Sequence, residues 1–279
     1  MVVLITKEVN SIKRNIKGNE FEFKKRYGQN FLADENIINK IVKKSNVKED
    51  SVVIEIGVGS GNLTKKLAGV AKNVIGYEID ASLENIINDN LNSFSNVEII
   101  YDDFLNRNII DDLSKYEYTH IYVVANLPYY ITTPIITKLI DENINIEQMT
   151  IMVQKEVGDR LNASPGHKEY NSLTIFINYY FEVSKLFEVS RNAFVPKPNV
   201  DSAIIQLKKR ENKHHLNDEK TFFKLVRDSF RYKRKTLKNN LKDYDLEKVS
   251  NTLKEYDLDL NVRAEQLTIE QFVKIANNL

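Results

Sequence analysis

Between about residue 50 and residue 210 the hydrophobic period of the sequence switches again and again, and this alternation restricts the available folds more than any other feature. The runs Val52-Val53-Ile54-Glu55-Ile56, Asn73-Val74-Ile75-Gly76-Tyr77, Val97-Glu98-Ile99-Ile100, His120-Ile121-Tyr122-Val123-Val124-Ala125 and Met149-Thr150-Ile151-Met152-Val153 are short and rich in β-branched residues. They read as buried strands. Stretches with helical spacing lie between them, such as Ser82 to Leu91 and Pro134 to Ile140. Strands alternating with helices predict a parallel, doubly wound α/β sheet. Leu186-Phe187-Glu188-Val189 and Ala203-Ile204-Ile205-Gln206-Leu207 have no long helix between them. They are expected to form an antiparallel hairpin at the sheet edge, around Pro196 and Pro198.

After about residue 212 the β pattern stops. Phe222, Phe223, Val226 and Phe230 recur at helical spacing, followed by Leu237, Leu241, Leu246, Val249 and Leu253. This predicts a small, all-helical C-terminal domain. A chain of 279 residues has room for two domains. It contains no cysteine, which excludes disulfide scaffolds, thiolate metal sites and cysteine nucleophiles. Of the 4 histidines, the adjacent pair His214 and His215 cannot share a helix face, so no metal site is expected. No apolar run approaches the roughly 18 residues of a membrane span. The opening Met1-Val2-Val3-Leu4-Ile5 is too short for a signal-peptide core, and a cytoplasmic protein is expected.

The formal net charge is only +1, but it is unevenly placed. Residues 1–30 carry 7 basic and 3 acidic groups, and residues 208–242 carry 13 basic and 4 acidic. Residues 31–207 carry 16 basic and 24 acidic. An acidic body flanked by basic segments points to a polyanionic partner.

Glu55-Ile56-Gly57-Val58-Gly59-Ser60-Gly61 follows a predicted strand and opens a predicted helix. Glycines at 57, 59 and 61 let the backbone turn tightly and approach a ligand. Glu78 ends the next strand, 21 residues after Gly57, which suits a carboxylate accepting hydrogen bonds from a ribose diol. The spacing G-x-G-x-G lacks the third glycine that dinucleotide enzymes place under a pyrophosphate. It favours a nucleoside cofactor without one, such as S-adenosylmethionine. The same residues also suit a plain strand-to-helix turn. Asp103 follows the third strand and opens on the same crevice, where a carboxylate can accept an adenine amine; a solvated loop carboxylate is the other reading.

Asn126-Leu127-Pro128-Tyr129-Tyr130 follows the fourth strand. An aromatic exocyclic amine is a poor nucleophile because its lone pair is delocalised into the ring. Acceptors that take both N–H groups localise that pair. The Asn126 side-chain oxygen and the Leu127 or Pro128 carbonyl are placed for this, with Pro128 fixing the local angle. Tyr129 can stack on a base swung out of its helix. An Asx turn with a packed tyrosine is the alternative.

Taken together, these residues resemble the ribosomal RNA adenine N6,N6-dimethyltransferases. Tyr27-Gly28-Gln29-Asn30-Phe31-Leu32 is similar to that family's motif over the cofactor, and Phe194-Val195-Pro196-Lys197-Pro198-Asn199-Val200-Asp201-Ser202 to its FxPxPxVxS motif. The resemblance runs from about residue 24 to the C-terminus. Phe230 to Leu241, Val262 to Leu267, Gln154 to Val157 and Lys168 to Leu173 resemble the branch that dimethylates two adjacent adenosines near the 3′ end of small-subunit rRNA. The other branch methylates a large-subunit adenosine and gives macrolide resistance. Val58 departs from the proline common in the small-subunit branch, and is expected to point along the loop without consequence.

The resemblance implies a Rossmann-like class I methyltransferase sheet over residues 24–210 and a helical RNA-binding domain over 211–279; residues 1–23 lie outside it and are expected to be a basic or disordered arm. It implies S-adenosylmethionine as donor, with S-adenosylhomocysteine as product. Gln29, Asn30, Leu32, Gly57, Gly59, Gly61, Glu78, Ile79, Asp103, Phe104 and Asn126 would contact it. Asn126, Leu127, Pro128, Tyr129 and Phe194 would form the catalytic set, with Tyr129 and Phe194 sandwiching the target adenine.

The basic residues Arg227, Arg231, Lys233, Arg234, Lys235 and Lys238, with Lys24, Lys25 and Arg26, are expected to grip phosphates on either side of the crevice. A solvated charged face is the other reading of such a run. The expected partner is small-subunit rRNA in an assembling 30S particle, met by a monomer acting in ribosome biogenesis without metal or membrane. Two further readings stay open: a non-catalytic assembly or transcription factor on this fold, and a nicotinamide-dependent oxidoreductase using Glu78.

Overall fold

The computed structural model describes residues 11–16, 19–24, 29–211 and 214–279. Lys25, Arg26 and the first two residues of the motif Tyr27–Leu32 lie outside the described residues, as do 1–10 of the expected arm. Two compact units are formed. One takes the chain up to residue 155 together with 186–206; the other takes 156–185 with 207–279. The expected boundary at residue 210 is therefore replaced by an interleaved division.

In the first unit, β1 (Ser11–Ile16) and β2 (Asn19–Lys24) pair antiparallel, Ser11 opposite Lys24. This part of the expected disordered arm is a hairpin. The short β3 (Phe31–Leu32) leads into α1 (Glu35–Ser45). Asp34 caps α1 by accepting from the Asn36 and Ile37 amides, and Ile38, Ile41 and Ser45 form its buried face. Two strand–helix steps and a third strand then follow: β4 (Ser51–Ile56), α2 (Asn62–Ala68), β5 (Asn73–Tyr77), α3 (Glu84–Leu91) and β6 (Val97–Ile100). After α4 (Ile109–Leu113) come β7 (His120–Asn126), α5 (Thr132–Asp141) and β8 (Ile146–Gln154).

The main sheet has seven strands. Its order is β6-β5-β4-β7-β8, then β11 (Ser202–Lys209), then β9 (Phe181–Val189) at the edge. The pairs β4/β5, β5/β6, β4/β7 and β7/β8 are parallel. Every residue of β4 is buried, as its continuous apolar run requires when helices cover both sheet faces. The two late strands are neighbours, as expected, but only β9 is an edge; Ala203 to Ile205 and Leu207 are fully buried.

From β4 the chain winds outward through β5 and β6, then returns to the other side of β4 as β7. The direction of winding reverses between β4 and β7, which opens a crevice beyond their carboxyl ends. A second small pairing joins β3 to β10 (Phe194–Val195), with Leu32 opposite Phe194.

The second unit is helical where the sequence spacing predicts helices, in α8 (Glu219–Ser229), α9 (Leu237–Asn240) and α10 (Leu246–Lys254), and adds α11 (Ile269–Asn278). Phe222, Val226, Leu237, Leu241, Val249 and Leu253 lie in its core. The same core takes Tyr170, Ile175 and Tyr179 from the earlier segment. That segment holds α6 (Lys155–Leu161) and α7 (Ser172–Tyr180), the latter opened by a capping box between Asn171 and Thr174.

Candidate active site

A cavity opens at the switch point. Gln29 to Leu32, Glu55 to Ser60, Tyr77 to Ile79, Asp102 to Leu105 and Asn126 to Ile131 all contribute to its walls. Glu78 and Asn126, expected on one crevice, share it. The loop after β4 is shaped by backbone that side chains rarely adopt. Gly57 has φ 80°, and a Cβ there would face the Asn126 carbonyl oxygen at 3.5 Å. Gly59 has φ 60°, and a Cβ would meet Phe31 Cδ1 at 3.2 Å. Gly61 is the N-cap residue of α2. Val58 does not lie idle along the loop: it is buried with Leu83, Ile86, Ile87 and Leu91, against the face where Gly76 leaves room.

The acidic wall is built from strand ends. Glu78 is 6% exposed. Its Oε2 accepts the Gly59 amide at 2.8 Å and its Oε1 the Asp80 amide at 2.9 Å. Burial raises its carboxyl pKa, against the lowering effect of those two N–H groups. The loop and the carboxylate thus hold each other in place, and the carboxylate keeps acceptor capacity for a diol. Asp103 lies on the same wall and caps a short 3₁₀ turn, accepting from the Leu105 amide at 3.0 Å. Phe104 lies beneath, buried edge-on against Tyr77 with ring centroids 5.0 Å apart. Ile79 is exposed at the mouth.

Glu55 stands in the glycine-loop motif, but sequence reasoning assigns it no role. It is 1% exposed, lines the cavity, and its Oε2 has no hydrogen-bond partner among the described residues. Burial pushes its carboxyl up to about 8; the neighbouring Thr64 hydroxyl opposes this in part without closing a well-formed hydrogen bond, and Glu78 adds to it. The available signal is a single charge inside the otherwise apolar run Val52 to Ile56. Tyr130, also without an expected role, is 59% exposed at the cavity mouth.

On the opposite wall, Asn126 ends β7. Its Nδ2 donates to the Asn30 carbonyl oxygen at 3.1 Å. Leu127 is buried, and its amide donates to the Met152 carbonyl at 3.2 Å. The Pro128 carbonyl closes a turn by accepting from the Ile131 amide at 3.2 Å. The Tyr129 hydroxyl lies 2.8 Å from the buried Ser202 Oγ, so the ring is anchored at its far end.

Three expected site residues have different surroundings from those anticipated. Phe194 is 3% exposed, packs in the core with Leu32, Ile38 and Val189, and is not on the cavity wall. It pairs with Leu32 across β3 and β10, and both side chains are buried. Lys24 does not offer a free cation to phosphate. Its ammonium is 2.6 Å from Asp80 Oδ1 and 2.8 Å from Ser82 Oγ. Gln29 joins the same cluster, donating to Asp80 Oδ2 at 2.7 Å while accepting the Lys24 amide at 2.6 Å. It lines the cavity, but its amide serves to hold this segment. Burial alone would raise the Asp80 carboxyl, yet its bonds to Lys24, Ser82 and Gln29 outweigh that and hold it below the usual range.

In the second unit, Arg227 is exposed on α8 and Lys238 on α9. Arg231, Lys233, Arg234 and Lys235 are exposed on the turn between those helices, so most of the run is not helical.

A winding reversal beside β4, a glycine loop held by a buried acid, and amine-sized acceptors across the same cavity define a Rossmann-like methyltransferase. Comparison with known proteins narrows this class. The family described as "Ribosomal RNA adenine dimethylase" matches residues 20–279. Ribosomal RNA small subunit methyltransferase A of Bacillus mycoides is 46% identical over 268 residues, covering 93% of this chain and 92% of the relative. Among solved structures, a dimethyladenosine transferase from Plasmodium falciparum superposes with a TM-score of 0.75 at 28% identity, covering 88% of this chain and 95% of that one. The 23S rRNA methyltransferase ErmE superposes with a TM-score of 0.72 at 25% identity, covering 90% and 99%. The chain belongs to the ribosomal RNA adenine dimethylase family. It is a methyltransferase that uses S-adenosylmethionine to dimethylate adenine in small-subunit rRNA.

The cavity's own chemistry fits that donor. Its space, counted out to open solvent, is about 1120 Å³. Glu78 and Asp103 supply acceptors for hydroxyl and amine groups, and the unpartnered Glu55 oxygen supplies one for a cationic group.

Proposed function

We propose that the protein dimethylates the N6 amines of two adjacent adenosines near the 3′ end of small-subunit rRNA, within an assembling particle, as a cytoplasmic monomer of ribosome biogenesis. What supports this reading most is the Asn126–Asn30 hydrogen bond, because it leaves Asn126 Oδ1 as the acceptor at the end of β7. The second acceptor for the amine would be the Leu127 or the Pro128 carbonyl, the latter also accepting from the Ile131 amide. Together they would take both N–H groups of the amine and localise its lone pair. Tyr129, braced by Ser202, would support the base face. Glu78 would hold the ribose diol, Asp103 the adenine amine, and Gly57, Gly59 and Gly61 the close backbone approach.

When bound, S-adenosylmethionine supplies an electrophilic methyl on a cationic sulfur. The chain's contribution is positioning and electrostatics, since the nitrogen sheds its proton after attack. Basic residues of the second unit would hold phosphates without reading sequence. The deciding experiment maps methylated adenosines by mass spectrometry in rRNA from a strain lacking the protein, with and without complementation. Two adjacent dimethyladenosines that vanish and return would support the reading. Loss confined to a large-subunit adenosine would replace it with the other branch, and unchanged rRNA would reject it.

A further inference from the structure

We propose that Tyr232 is a stacking platform for an unpaired nucleobase, presented by a cationic turn of the second unit; this rests on the reading of rRNA as substrate and names a contact for it away from the methyl-transfer cavity. A single exposed aromatic residue needs no explanation. Here four further observations bear on it. Tyr232 is 57% exposed in the turn between α8 and α9. The turn is held rigid by one side chain: Asn240 Nδ2 donates to the Ser229 carbonyl at 2.6 Å and the Tyr232 carbonyl at 3.3 Å, while Asn240 Oδ1 accepts the Tyr232 amide at 3.2 Å. The Lys235 amide also donates to the Tyr232 carbonyl, at 2.9 Å. The ring is thus presented by a backbone clamped on both sides, and little ordering remains for binding to impose.

The charge along this stretch of the chain is one-sided. Residues 229–242 contain no acid and six basic groups. The preceding acid, Asp228, is occupied by Lys224 at 2.9 Å and the Tyr244 hydroxyl at 2.6 Å. Lys233 donates to the Lys168 carbonyl at 2.8 Å, whereas Arg231, Arg234 and Lys235 are exposed, with the Arg231 guanidinium 5.6 Å from the Tyr232 ring centre. Cations alone would attract any polyanion. A π-face among them selects one that carries bases. An acidic peptide would use the cations and leave the ring idle.

The chain contains no tryptophan, so Tyr232→Trp places a single fluorophore at the site. Its emission is to be titrated with unmodified small-subunit rRNA transcribed in vitro, with RNA binding followed in parallel by filter retention. Stacking predicts quenching that saturates with binding. Tyr232→Ala is expected to weaken binding about tenfold, and Tyr232→Phe to leave it unchanged. The slope of log affinity on log salt should stay the same for Tyr232→Ala. For Arg234→Ala it should fall by about one. Circular dichroism confirms that each variant folds. Emission that does not change while RNA binds, equal affinity for Tyr232→Ala and wild type, or the same quenching by polyglutamate would each overturn the proposal. A wild-type protein that methylates rRNA while Tyr232→Ala binds normally would sink the platform alone. Quenching by rRNA without methylation would sink the enzymatic reading alone.

Discussion

Asn126 and Asn30, 96 residues apart in the chain, are joined by a single hydrogen bond from the Asn126 amide nitrogen to the Asn30 carbonyl, at 3.1 Å. One end of a side-chain amide is thereby used for position and the other end is left for chemistry. Asn126→Ala removes both. It is expected to lower the rate of methyl transfer at least about 100-fold, on the scale of losing one preorganised polar group in a catalytic site. Cofactor affinity should change much less. Tritiated methyl incorporation and calorimetric titration with S-adenosylhomocysteine separate the two effects. Full activity in the alanine variant would remove Asn126 from the mechanism.

Glu55 predicts an alkaline loss of stability. Its carboxyl lies at about 8 in the folded protein, against 4.5 when exposed. The folded state therefore keeps a proton that the unfolded state releases. That contribution is complete below pH 4.5 and is lost as the pH rises through about 8, at roughly 1.4 kcal/mol per pH unit for a single group. Glu55→Gln should behave like wild type near pH 5 and be the more stable protein at pH 8.5. Urea unfolding at both pH values checks the crossover. Glu78, raised in the same direction by burial, accounts for any slope that persists.

Gly59 has φ 60° and faces the Phe31 ring. Gly59→Ala should cost about 1–2 kcal/mol through strain at positive φ. Because the Gly59 amide also orients Glu78, the thermal shift produced by S-adenosylhomocysteine should shrink. A variant with an undiminished ligand shift would show that the loop does not set ligand affinity.

Asp80 should have the opposite pH signature to Glu55. Held below its usual range in the folded protein, it stabilises above the ordinary carboxylate range, and that stability is lost as the pH falls through its folded value. Asp80→Asn is expected to cost about 1–3 kcal/mol near pH 7, because the Lys24 ammonium loses its charged partner, and to flatten the acid limb. It should also raise the KM for cofactor by loosening Gln29 to Leu32. Acid titration of unfolding in the two proteins tests this.

The sheet and the core of the site are readable because local spacing encodes them. A strand, a glycine turn and an acid 21 residues on must meet in a parallel sheet, and Asn126 follows a strand that opens on the same crevice. What escapes is non-local. Phe194 is buried and pairs with Leu32, a partner 162 positions away, and no periodicity announces that. The charge of Lys24 is spent on Asp80, which belongs to the rim of a different strand. The packing of Val58 is hidden because the space it fills is made by the missing side chain of Gly76. The apolar composition of α7 says that it needs a core without saying which one.

The threading of the chain has a practical consequence for dissection. Tyr170, Ile175 and Tyr179 share an interior with Phe222, Leu253 and Phe272, although the two groups are separated by the whole return of the polypeptide through the sheet. A truncation ending at residue 210 would keep the first group and discard its cover, exposing an oily surface that never meets water in the intact chain. The catalytic half of this protein is therefore a poor candidate for expression by simple C-terminal trimming. An excision would have to remove 156–185 as well and bridge the gap.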